Sequence, residues 1–130
     1  VEPQWANMPF FRVTYVAEDQ KTAEKDPKEA MNWVADLNGY RRTLKGGSEI
    51  YADLDNWIKT RPEDPPSHES RLNSTAYFGT PDRLVERIKG LRDQHHVQYF
   101  TAHFPYGGLE HAKVMRSIEL FAKEVMPRFR

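Results

Sequence analysis

Three short β-prone runs, separated by stretches with helical periodicity, constrain this chain more than any other feature. The first, Phe10-Phe11-Arg12-Val13-Thr14-Tyr15-Val16-Ala17, is aromatic and β-branched, the side-chain types that pack best on a pleated surface. The second is Thr75-Ala76-Tyr77-Phe78, and the third runs from Val97 to Phe104. After the second run, Gly79 permits a tight turn, Thr80 offers an N-cap oxygen and Pro81 fills the first helical position. A missing N–H at that position leaves no bond unmade. Leu84, Val85, Ile88 and Leu91 then form one apolar helical face. The resulting order, β-α-(insert)-β-α-β-α, predicts right-handed βαβ units and a parallel sheet. The fold class is α/β with three strands.

The remaining elements are read in the same way. Asp26 is expected as an N-cap, with Pro27 opening a helix whose stripe is Ala30, Trp33, Val34, Leu37, Tyr40 and Leu44. Gly46-Gly47 is expected to stop it, and residues 22–25 to add a turn before Pro27. Residues 45–72 read as an insert. Tyr51, Leu54, Trp57 and Ile58 suit a short helix, and the Pro-rich, charged run from Thr60 to Ser70 suits an exposed, mobile loop. A last helix is expected from Leu109 to Val125, closed by Pro127.

Size and charge narrow the function. The 130 residues amount to one domain, well short of the roughly 250 of a complete (β/α)₈ barrel. Nineteen Lys and Arg balance nineteen Asp and Glu, which argues against a general nucleic-acid binder. No cysteine is present, so disulfides and thiolate metal sites are excluded. A reducing, cytoplasmic compartment fits that composition. No apolar run is long enough to span a membrane, and the sequence opens on Val rather than Met, as an internal or processed start would.

In parallel α/β folds ligands gather where strands end and helices begin. Here those places are 15–19, 78–80 and 103–108. Gly79-Thr80 and Gly107-Gly108 are each either turn glycines or anion-holding helix starts. His103, near the end of the third strand, is either a hydrogen-bonded structural imidazole or a group that orients substrate or moves a proton. Tyr15, Phe78, Phe104 and Tyr106 either wall a pocket for a planar ring or pack in the core. Lys45, Arg61 and Arg71 flank the insert, as solvated cations or as a clamp on an anion. His111, Trp33 and Trp57 read as structural. His95-His96 reads as a surface turn, since no further ligands stand at metal-binding spacing.

One stretch is more specific. Residues 73–88 with their Gly79-Thr80-Pro81 entry, the run His103-Phe104-Pro105-Tyr106-Gly107-Gly108-Leu109, and the closing Phe121-Ala122-Lys123-Glu124-Val125-Met126-Pro127 resemble the C-terminal end of the luciferase-like monooxygenase family. The opening Arg12 to Ala17 looks like that family's sixth strand. The resemblance implies the C-terminal part, about three βα units, of a TIM-type (β/α)₈ barrel, residues 1–130 forming one piece of it. It implies reduced flavin as cofactor, FMN or a deazaflavin, with O₂ and a small organic molecule as substrates. It also implies Tyr15, Phe78, His103, Phe104 and Tyr106 as wall residues at the mouth of the cofactor site. From their positions alone, His103 is the catalytic candidate, Gly107 and Gly108 are candidate cofactor contacts, and no metal is expected. The insert would act as a lid. Most flavin contacts would come from strands this chain lacks, so the chain alone should be inactive. Its expected partner is the missing N-terminal portion of the barrel or a second copy. A reading of another class is a non-catalytic assembly module that self-associates through open strand edges.

Overall fold

The first β-prone run becomes the centre of the sheet rather than its edge. In the computed structural model, which describes residues 9–43, 54–60, 66–104 and 107–130, β1 (Pro9–Val16) pairs in parallel with both β2 (Ala76–Gly79) and β3 (Tyr99–His103). The order is β2-β1-β3, a mixed α/β fold around a three-stranded parallel sheet. Successive strands of a (β/α)₈ barrel stand beside each other in chain order. Here β3 passes beyond β2 to the far side of β1, as in a doubly wound sheet.

Strand parity shows the consequence. Val13, Tyr15 and Ala17 of the first strand region join Ala76 and Phe78 in one apolar cluster. Helix α1 (Gln20–Lys25) and helix α2 (Lys28–Thr43) cover it through Ala23, Ala30 and Met31. Val16 and Tyr77, which point to the other face, join a second cluster with Leu84, Val85 and Ile88 of α5 (Pro81–His95). Crossovers that run in opposite directions along a sheet place their helices on opposite faces when both are right-handed. A barrel's outer ring of helices would cover one face only.

Several local expectations shift by a few residues. Asp19, not Asp26, opens the first helix: its carboxylate accepts from the Thr22 amide at 2.8 Å and the Thr22 hydroxyl at 2.7 Å. Asp26 has helical dihedrals and ends α1, and the Pro27 carbonyl accepts the first bond of α2 from Met31 at 2.9 Å. The expected stop at Gly46-Gly47 lies outside the described residues. Within the insert, α3 (Leu54–Thr60) sets Trp57 against Tyr40, ring centroids 5.9 Å apart. Of the charged loop expected from Thr60 to Ser70, residues 61–65 lie outside the described residues, and its last three residues instead open helix α4 (His68–Asn73), capped by Ser67. Trp33 is 47% exposed and does not belong to the buried stripe.

Thr80 and Pro81 start α5 as their types dictate, the Thr80 hydroxyl accepting from the Arg83 amide at 3.4 Å. Its end uses His96 in the left-handed region (φ 54°), and both His96 and Val97 donate to the Leu91 carbonyl. Val97 is thereby held in the cap, so β3 begins two residues later than the apolar run suggests.

β3 also ends early. His103 stands opposite Val13, so the amide of Val16 faces a position that no strand fills. Helix α6 (His111–Leu120) crosses there, and the fully buried Ser117 hydroxyl accepts from the Val16 amide at 2.7 Å. Beyond it the chain widens into a π turn at Phe121–Val125, where the Met126 amide donates to the Phe121 carbonyl, and then tightens into a 3₁₀ turn at Met126–Phe129. Pro127 thus sits inside a final turn rather than ending the helix. Among the described residues, no helix is long and apolar enough to cross a membrane.

Removing the Ser117 hydroxyl strands a buried amide. Ser117→Ala should cost about 1–3 kcal/mol in urea unfolding, and Val16 amide exchange should quicken. An unchanged unfolding midpoint would contradict this role for the bond.

Candidate functional site

The C-terminal ends of the strands gather the candidate residues, and the β1–β2 register decides which meet. Tyr15 lies opposite Phe78, their rings edge to face at 6.4 Å, with exposures of only 3% and 1%. The Tyr15 hydroxyl donates to Asp26 Oδ2 at 3.2 Å. Burial, then the charge of Asp26 and its acceptance of that hydrogen bond, push the phenol well above its ordinary value, and Glu18 and Glu110 add smaller increments. Tyr15 is therefore a neutral donor held against a carboxylate, suited to fixing Asp26 rather than to giving up its proton.

Asp26 leads into a chain of charges. Lys113 Nζ stands 3.8 Å from Asp26 and 3.5 Å from Glu110. One turn further along α6, Nε of Arg116 donates to Glu18 Oε1 at 2.9 Å, and its Nη2 contacts the same oxygen. That guanidinium holds the Glu18 carboxyl below its usual range. Lys113 and Arg116 project from α6 at a spacing of three, so the crossing of α6 over β1 brings both onto the acids that follow the strand. None of these partners was legible from sequence. Asp26 reads as a cap, and the signal for Lys113 was only its position three residues after Glu110.

The other candidates disperse. His103 shares a face with Tyr15 but sits level with Val13, two residues short of the Tyr15–Phe78 layer. Its imidazole packs on the Phe11 ring at 4.4 Å, and burial lowers its pKa. Phe104 points to the opposite face and meets Phe121 edge to face at 5.6 Å, so it does not join Tyr15 and Phe78 in one pocket wall. Tyr106 and Pro105, like Lys45 and Arg61, lie outside the described residues. Gly107 leaves room for Trp33, since a Cβ there would meet the ring at 2.8 Å. Gly108 takes a left-handed φ of 85°. Both glycines thus have conformational reasons to be glycine.

Anion binding at the helix starts is opposed locally. Glu110 is itself the N-cap residue of α6, so the position where the helix dipole favours an anion already carries a carboxylate. At α5, the Thr80 amide donates to Gln20 Oε1 at 3.4 Å. Arg71, from the insert, is buried beside α2 and donates to Asn32. Among the described residues, no group of three or more His, Asp or Glu is placed to hold a metal ion.

No protein-family model and no characterised protein sequence matches this chain. Among solved structures it is similar to the crystal structure of monooxygenase RslO1 from Streptomyces bottropensis, with a TM-score of 0.61 and 19% identity. The alignment covers 99% of this chain and 33% of that one. At this identity the likeness establishes shared fold, and the chain spans about a third of that protein's length.

The raised Tyr15 pKa has a signed consequence. The unfolded phenol ionises near its ordinary value of about 10, whereas the folded one keeps its proton, so stability present below that pH is lost as pH rises beyond it. Tyr15→Phe should flatten the alkaline fall in stability, measured by urea unfolding across about pH 9 to 11. Parallel alkaline limbs in the two proteins would show that Tyr15 does not titrate as its surroundings require.

Proposed function

We propose that this chain is the C-terminal portion of a flavin-dependent, luciferase-like monooxygenase that oxidises a small organic substrate with reduced flavin and O₂. One observation carries the reading: nearly the whole chain shares its fold with a third of a protein named as a monooxygenase. The Gly79-Thr80-Pro81 helix entry and the closing Phe121 to Pro127 run agree with it.

Among the described residues, the candidates do not converge on a flavin site. Tyr15 and Phe78 are buried under α1 and α2, Phe104 lies on the other face, and Glu110 would repel a phosphate at the start of α6. The reading therefore assigns the cofactor, FMN or a deazaflavin, to the remainder of the parent protein. Joining a barrel would also require β3 to leave β1 for the outer edge of β2. That edge is closed here by side chains: Arg87 Nη1 donates to the Ala76 carbonyl at 2.7 Å, and Gln20 Nε2 reaches the Phe78 carbonyl at 3.5 Å.

The test is twofold. The chain alone, titrated with FMN, should show no affinity below about 1 μM, because tight binding needs more buried contact than it offers. The reading frame around it should supply five further strand–helix units, and the complete product should consume O₂ when given reduced flavin. A tight FMN complex of the 130-residue chain would sink the assignment of the cofactor. A complete product inert toward reduced flavin would sink the activity.

A specific observation favours an assembly module as the second reading. The outer edge of β2 is closed, whereas Tyr99 and Thr101 on the outer strand β3 are exposed, and open edges invite strand pairing. With one edge closed, association should end at a dimer. Sedimentation should show a dimer that Tyr99→Lys dissociates, and a monomer at all concentrations would remove this reading.

A further inference from the structure

The N-terminal ends of the strands carry a second set of polar groups with no part in the arrangement around Tyr15. A cavity of about 530 Å³ opens there between the start of β1, Ser74 and Tyr77 at the start of β2, and the end of α5. Phe10, Tyr77 and Leu91 give it apolar walls, while Arg12, His95 and His96 give it basic ones. No carboxylate is among its described lining residues. That volume suits a small organic ligand, and apolar walls with a few convergent polar groups are the usual make-up of such a site.

The Arg12 guanidinium lies over the Phe10 ring at 3.7 Å, and its Nε is buried with no protein partner. Arg87 lies next to it over the Tyr77 ring at 3.9 Å. Burial first, and then the repulsion of Arg83 and Arg12, lower the pKa of Arg87, with only Tyr77 acting the other way. Arg12 Nη1 donates to the Phe11 carbonyl at 2.8 Å and Arg87 Nη1 to the Ala76 carbonyl at 2.7 Å. Among the described residues, backbone oxygens rather than carboxylates therefore receive these two cations, and the buried Arg12 Nε–H is costly without an acceptor. The carbonyl of Leu91 at the end of α5 is already bonded by the amides of His96 and Val97. The left-handed turn at His96 (φ 54°) ends the helix beside its neighbour His95, and both imidazoles line the cavity.

We propose that this cavity binds a small aromatic anion, with its carboxylate or phosphate group on Arg12 and the two imidazoles and its ring against Phe10 and Tyr77. The guanidinium fork matches both head groups, and the aromatic walls favour a planar body over a bare ion. The proposal is independent of the monooxygenase reading, because it uses no residue of the Tyr15 cluster.

Calorimetric titration of the full chain with benzoate, phenyl phosphate, inorganic phosphate and the neutral benzamide tests it. At least one aromatic anion should saturate one site, and benzamide should bind about tenfold or more weakly than benzoate if the head is a carboxylate. If the head is a phosphate, phenyl phosphate should be the tighter aromatic ligand and inorganic phosphate weaker than it. Arg12→Gln should weaken the preferred ligand by about tenfold or more. A His95→Gln/His96→Asn variant, with Asn tolerating the left-handed position, should weaken it too and carries the test if Arg12→Gln does not fold. Absence of saturation by either aromatic anion, or unchanged affinity in folded variants, would overturn the proposal. So would a preferred ligand matched by its control, benzamide for benzoate or inorganic phosphate for phenyl phosphate.

Discussion

The hydrogen bond from the Val16 amide to the Ser117 hydroxyl connects the central strand to the last helix. It exists because β1 is longer than the strand beside it: β3 stops opposite Val13, and buried amides require an acceptor. α6 fills that place instead of a strand. Lying across the end of β1, it sends Val114 in its first turn, with Leu109 just before it, to one apolar cluster and Leu120 to the other. The same crossing brings Lys113 and Arg116 onto Asp26 and Glu18. Both the closure of the two cores and the charged cluster therefore follow from one mismatch in strand length.

Local chemistry was legible where a residue type has one good use. Thr80 and Pro81 begin α5 as their side chains dictate, and the three strands and main helices fall on the expected runs. What was not legible depends on register. Nothing local decides whether the third strand lies beside the first or the second, because that choice rests on contacts far apart in sequence. Tyr15 meets Phe78 through a register that only the folded pair sets. The separation of Phe104 from them is different, since neighbours in a strand point to opposite faces. His103 and Phe104 therefore cannot both face Tyr15, and the alternation alone contained that. The inward face of α6 is not the one its spacing suggests: periodicity favours the stripe Ala112, Met115, Ile118, Phe121, Ala122 and Val125, whereas Met115 and Ile118 are exposed and Ser117 and Leu120 are buried.

The two functional readings divide over the fate of β3. As a portion of a (β/α)₈ barrel, the chain would exchange its β1–β3 ladder for a β2–β3 one and release the carbonyls that Arg87 and Gln20 hold. As a module, it keeps its ladder and offers the free edge of β3. In either case the described aromatic candidates, Tyr15 and Phe78 against Phe104, are divided between two faces of the sheet. The basic cavity at the opposite end depends on neither outcome, because its walls come from β1, β2 and α5.

Backbone nuclear Overhauser effects between strands test the central claim, that β1 is flanked on both sides, most directly. The account predicts contacts between the backbones of Arg12 and Ala102 and between those of Thr14 and Tyr77, in the parallel registers observed. A ladder between the backbones of β2 and β3, with the β1–β3 contacts missing, would contradict it.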